Sequence, residues 1–149
     1  MLKTIKSLSE YEQLYNEYVT EGHVRGYLNY FISKKNISVY INEEKIKYAV
    51  VDGTLFLFAD QGNYYKMYFW RLTAKTKSLP DADKEICCDI YEQQNNNFTV
   101  NVLHQLFIEN NYECKQKYEQ VRLSYGNLHT ISFKYLEAVS YTHLTLPTT

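Results

Sequence analysis

The side chains able to do chemistry in this 149-residue chain are few and scattered. Cys87 and Cys88 are adjacent and Cys114 stands alone, an odd count with no disulfide or zinc spacing, so no metal site is assigned. Neighbouring cysteines on a strand face opposite ways, and a buried thiol acts as a small apolar group rather than a nucleophile. His23, His104 and His129 are far apart, and no two have metal-ligand spacing. His104 falls on a helical stretch beside Leu103, where a surface position is the simpler expectation. Asp52 and Asp60 lie in turn-forming stretches and shape those turns before they act as bases. Lys75 and Lys77 could touch a phosphate, but lysines on a surface loop are ordinarily just solvated.

The elements that must position these groups follow from periodicity. Tyrosine is abundant, 16 in all, and Tyr11, Tyr15 and Tyr18 recur with Leu8 and Leu14 at helical spacing. Ser7 with Glu10 makes a capping box and Gly22 a stop, which predicts a helix from about Leu8 to Thr20. The run Gly22 to Ile32 has no clean period and reads as a partly extended connection. A second helix is expected over Lys34 to Glu43, capped by Ser33 and buried through Ile37, Tyr40 and Ile41.

The middle of the chain carries the clearest local signals. Ile46 to Val51 and Thr54 to Ala59 read as strands around Asp52-Gly53, a pair that tolerates the positive φ angles of a type I′ turn. Asp60 to Asn63 is a second turn, and Tyr64 to Leu72 a third strand. On that strand Tyr64, Lys66, Tyr68 and Trp70 share one face, and Tyr65, Met67, Phe69 and Arg71 the other. Rings on both faces predict a central strand covered on both sides. A polar connection with Pro80, Thr73 to Lys84, leads to a buried strand at Glu85 to Tyr91. Asn97 then caps a helix carrying Phe98, Val102, Leu103, Leu106, Phe107 and Asn110, ended by Asn110-Asn111. Glu113 to Ser124, alternating around Tyr118 and Val121, is expected to complete a β-α-β unit, which ordinarily makes a parallel crossover. A turn at Gly126-Asn127 precedes a last strand, Thr130 to Leu136.

Composition narrows the function classes. A formal charge of −1 predicts no strong attraction to nucleic acid or to an anionic membrane. No apolar run approaches the ~20 residues needed to span a bilayer, and Met1 to Ser7 lacks a signal-peptide core, so the expected address is cytoplasmic. The last stretch, Val139-Ser-Tyr-Thr-His-Leu-Thr-Leu-Pro-Thr-Thr149, resembles the translation of a transposon-based sequencing adaptor. Residues 1–138 are therefore expected to be the native domain, 139–149 a non-native tail, and further native sequence to be missing.

The order of elements, with the runs Leu55 to Phe69 and Leu103 to Tyr118, resembles the N-terminal halves of two-domain GNAT-related bacterial proteins. That resemblance covers most of Met1 to Glu137 through pattern, with Asn111-Tyr112 where the family has a short "Gly-Phe"-like turn. It implies an α+β fold: a GNAT-like mixed sheet with an antiparallel three-stranded meander followed by a β-α-β unit, and helices on the faces. It also implies an N-acyltransferase setting, in which acetyl passes directly from CoA to a small-molecule amine acceptor. The family holds the CoA pyrophosphate with an Arg/Gln-x-x-Gly-x-Gly/Ala loop that opens a helix after the third meander strand. The equivalent stretch here, Arg71 to Ala82, has no glycine. The resemblance therefore implies a half with no cofactor of its own. Acetyl-CoA belongs to the missing C-terminal catalytic half, and this half shapes the acceptor cleft with rings such as Tyr65 and Tyr68. The alternative is a non-enzymatic module that keeps the fold for binding alone.

Overall fold

A computed structural model describes residues 1–19, 34–68, 76–92, 100–122 and 126–136. In chain order its elements are β1 (Lys3–Thr4), α1 (Leu8–Tyr18), α2 (Lys34–Asn42), β2 (Ile46–Val51), β3 (Thr54–Asp60), β4 (Tyr64–Tyr68), β5 (Glu85–Glu92), α3 (Val100–Glu109), β6 (Tyr112–Arg122) and β7 (Gly126–Tyr135). The seven strands form one mixed sheet in the order β1-β2-β3-β4-β5-β7-β6, so the fold is α+β. Expectations placed on His23, Gly22, Ser33, Phe69 to Lys75, Asn97, Phe98 and the 139–149 tail lie outside the described residues.

Turn chemistry builds the meander. Asp52 and Gly53 both take positive φ, 51° and 77°, and close a two-residue hairpin whose strands pair from Ile46↔Ala59 to Val51↔Thr54. Gly62 (φ 96°) makes the next turn, where the Asp60 carboxylate accepts its backbone N–H at 2.9 Å. β1 has no counterpart in the sequence reading, because two residues are too few to show alternation. It adds to the outer edge of β2 through Thr4↔Lys47.

The helices start and stop as local rules require. Ser7 Oγ accepts the Glu10 N–H at 3.1 Å, whereas the Glu10 carboxylate reaches back to the Lys6 N–H at 3.3 Å, one residue beyond a standard capping box. α1 ends at Tyr18, two residues before the expected Thr20, and its Leu8 is exposed while Tyr11 is buried. α2 closes with Glu44 at φ 57°, the Glu44 N–H on Ile41 O (3.0 Å) and the Lys45 N–H on Tyr40 O (2.8 Å). This is a Schellman stop, written with a glutamate where glycine is usual.

Two cores sandwich the sheet. One face carries Ile46, Leu55, Leu57 and Ala59 beneath Tyr11 of α1 and Ile37 and Ile41 of α2. The other carries Phe56, Phe58, Tyr65, Met67, Ile86, Cys88, Ile131 and Phe133 beneath α3, whose Val100, Leu103, Leu106 and Phe107 are buried. β3 is therefore the strand buried on both faces. The expectation of two covered faces on β4 fails on one side, where Tyr64 is exposed and Lys66 and Tyr68 are only half-buried.

The C-terminal half keeps the expected parallel crossover, with β5 and β6 running the same way in one sheet, but the two strands are not neighbours. β6 does not pair with β5, because β7 lies between them, antiparallel to both. The reason is burial: β7 supplies Ile131 and Phe133 to the core, whereas β6 carries exposed Lys115, Gln116, Lys117, Tyr118 and Glu119 and takes the edge. Tyr118 thus faces solvent rather than a core. Gly126 and Asn127, expected as the turn, are strand residues opposite Arg122 and Val121. Asn111, at φ 68°, does end α3 as its residue type suggested.

Candidate functional site

β4 and β5 are the only parallel neighbours in the described sheet, and their ladder holds three register pairs: Tyr64↔Glu85, Tyr65↔Ile86 and Lys66↔Cys87. Beyond Lys66 and Cys87 both strands run on without pairing to each other. Register places Lys66, Cys87, Thr130 and Ser132 on the same sheet face as Leu57 and Ala59, past the cover of α1 and α2. Here the apolar face turns polar. The Lys66 ammonium reaches across to Asp89 Oδ2, and the Thr130 hydroxyl donates to Asp89 Oδ1 at 2.7 Å. Both charged side chains are about one-fifth exposed (20% and 19%), so the pair is shielded yet reachable. An aspartate that accepts from a primary ammonium and a hydroxyl, with the Cys87 thiol nearby, makes a charge-assisted hydrogen-bond cluster on this face. Sequence reasoning missed Lys66, Asp89 and Thr130, because their convergence depends on β5 pairing with β4 on one side and with β7 on the other.

The two tyrosines singled out from sequence go to opposite faces. Tyr68 joins the polar cluster: burial, then the charges of Tyr40, Asp89, Tyr64 and Cys87, push its hydroxyl up to about 12. Tyr65 is 4% exposed on the far face, where its hydroxyl donates to Asp83 Oδ1 at 2.7 Å. Burial and that bond both hold its proton, raising its pKa. The ammonium of Lys84 lies 5.2 Å from the Tyr65 ring centre and contacts both Asp60 oxygens, at 2.8 and 2.9 Å. Burial alone would raise the Asp60 pKa, but the Lys84 contact and the Gly62 N–H outweigh it and lower it. Tyr65, Asp83, Lys84 and Asp60 thus tie the start of β5 to the β3–β4 turn.

The described part of the connection between β4 and β5 is an extended strap, Thr76 to Lys84, without helix. Asn110, just past α3, clamps it: Asn110 Oδ1 accepts the Leu79 N–H and Nδ2 donates to Lys77 O, both at 3.0 Å. Tyr112 adds an O–H bond to Pro80 O at 2.6 Å, and Leu79 and Ala82 enter the α3-side core. A separate cleft of about 380 Å³ lies where the strap meets the end of β7, lined by Asp83, Lys84, Glu85 and Lys134 among others. It does not share the Lys66–Asp89 cluster.

Cys87 is half-buried and Cys88 fully buried, one on each face as alternation required, and burial raises both thiols away from the thiolate. His104, expected at the surface, is half-buried, its ring centre 6.0 Å from that of Phe133. His129 is buried in β7. Among the described residues no group of three or more His, Cys, Asp or Glu could hold a metal, and no helix is long and apolar enough to cross a membrane.

Tyrosine burial has a measurable consequence. Tyr11, desolvated and beside Tyr15, is also pushed up to about 12, and Tyr112 is raised mainly by burial. Each folded-state pKa lies above the unfolded value, so each contributes stability that is complete below about pH 10 and lost as pH climbs towards 12. Phenolate absorbance is expected to rise in two phases, the second coinciding with loss of far-UV circular dichroism. A single phase near pH 10 with the fold intact would contradict the burial of these four rings.

Comparison with protein-family models, with curated proteins and with solved structures returned no match for this chain.

Proposed function

We propose that this chain is the GNAT-like, non-catalytic N-terminal half of a tandem N-acyltransferase, and that it shapes the acceptor cleft. One observation carries the reading: a shielded carboxylate, Asp89, holds a primary ammonium where the β4–β5 ladder ends. Ligands of open sheets with parallel strands gather at the carboxyl ends of those strands, where neighbouring chain segments diverge. Lys66, Tyr68 and Asp89 lie towards those ends. In this reading Asp89 supplies the negative charge that seats an amine acceptor, Thr130 fixes the carboxylate, and Tyr68 walls the cleft with a protonated hydroxyl. Tyr65, tied to Asp83, acts from the opposite face as a support of the strand.

The strap supports the assignment of the cofactor to another half. Leu79, Pro80 and Ala82 are committed to the core, and the backbone at Lys77 and Leu79 to Asn110. Within residues 76–84 the Leu79 N–H is thus already taken and no helix starts, so this stretch offers a diphosphate no helix N-terminus. Calorimetric titration of this chain with acetyl-CoA is therefore expected to give no binding, and micromolar affinity would overturn the half-enzyme reading. Sequencing the source gene past Ala138 tests the other side. A second domain with a glycine-rich phosphate loop after a strand is the expected result, and a stop codon soon after Glu137 would favour a binding module instead.

A further inference from the structure

β6 is an eleven-residue edge strand whose outer side is unpaired by any described strand, and its middle is exposed from Lys115 to Glu119. Long edges of this kind invite another strand unless charge opposes it. Here the charge pattern is self-complementary in one register. Two copies laid antiparallel about Tyr118 bring Lys117 of each opposite Glu119 of the other, twice, with no like charges facing. Sliding by one step of the pleat in either direction sets Lys117 against Lys117, offset only by Lys115 at the β-bulge meeting Glu119, or sets Glu119 against Glu119. The faces also agree: Lys117 and Glu119 lie on the side of Ile131 and His129, while Tyr118, 58% exposed, lies on the side of Thr130 and meets its own copy. The β-bulge between Cys114 and Gln116 falls outside this central pairing. Directly opposed side chains on such strands come within about 5 Å, close enough for both ion pairs and for ring contact.

We propose that β6 is a homodimerisation edge, joining two copies of this chain into one continuous sheet through antiparallel pairing centred on Tyr118. The contact is a strand pair and not a broad apolar patch, so the dimer is weak and concentration-dependent. Sedimentation velocity on the full chain is the test, with K117E, E119K and the double variant K117E/E119K beside the wild type. The substituted residues are exposed, and circular dichroism checks that each variant folds. The wild type is expected to dimerise, each single variant to associate about tenfold more weakly, and the double variant to regain wild-type affinity because the opposite charges are restored. A wild-type chain that remains monomeric at about 1 mM overturns the proposal. So does a dimer indifferent to the single changes, or one the double variant fails to restore.

Discussion

Phe107→Ala is expected to cost about 3–5 kcal/mol, the range for removing a fully buried aromatic ring. Phe107 has no solvent exposure and sits between two other rings. It stacks on Phe133 at 3.9 Å between centres and 4° between planes, and meets Tyr112 edge-on at 5.0 Å. Those contacts join α3, β6 and β7, so the loss is of a junction and not merely of area. The void would open next to Leu106, whose carbonyl accepts from the Asn110 side chain that clamps the strap. Phe107→Leu keeps most of the volume and is expected to cost under about 1.5 kcal/mol. Urea denaturation of the two variants measures both, and a loss below about 1 kcal/mol for the alanine would show that the site collapses freely or is not packed as described.

How much of this was readable in advance follows the range of the forces involved. Asp52-Gly53, the Ser7 cap and Asn111 act over a few residues, and each does in the structure what its residue type dictates. The apolar spacing of Val100 to Glu109 likewise records the face α3 buries, since helix periodicity is local. What stayed unread was long-range. Nothing within Tyr112 to Arg122 states that β7, rather than β6, would lie beside β5, because that choice is settled by competition between two strands for one core. The competition could have been judged from the charges of Lys115, Lys117 and Glu119 against Ile131 and Phe133, a contrast that alternation around Tyr118 obscured. The candidate site inherits the same blindness. Lys66, Asp89 and Thr130 come from three strands, and only the order β4-β5-β7 brings them together. Tyr65 and Tyr68 were found as rings on one strand, yet their alternation already assigned them to opposite faces.

Asp89→Ala is expected to destabilise the chain by about 2–3 kcal/mol, below the ~3–5 kcal/mol of a fully buried pair because both partners keep some contact with water. The substitution leaves the Lys66 ammonium shielded without its carboxylate and takes the acceptor from the Thr130 hydroxyl. Asp89→Asn keeps an oxygen for Thr130 and removes the charge, so its loss should be smaller, about 1–2 kcal/mol. The informative variant is the double replacement Lys66→Met with Asp89→Leu, which removes both charges and fills the space with apolar atoms. Its stability is expected within about 1 kcal/mol of wild type, since desolvating an ion pair offsets most of what the pair returns. Chemical denaturation of the four proteins resolves the ranking. A double variant as unstable as Asp89→Ala would mean that the cluster exists to hold β4, β5 and β7 in register. A double variant that folds well removes that explanation. Charge on a sheet face that apolar residues would stabilise equally is not needed for the fold, and in the proposed reading it serves the acceptor amine.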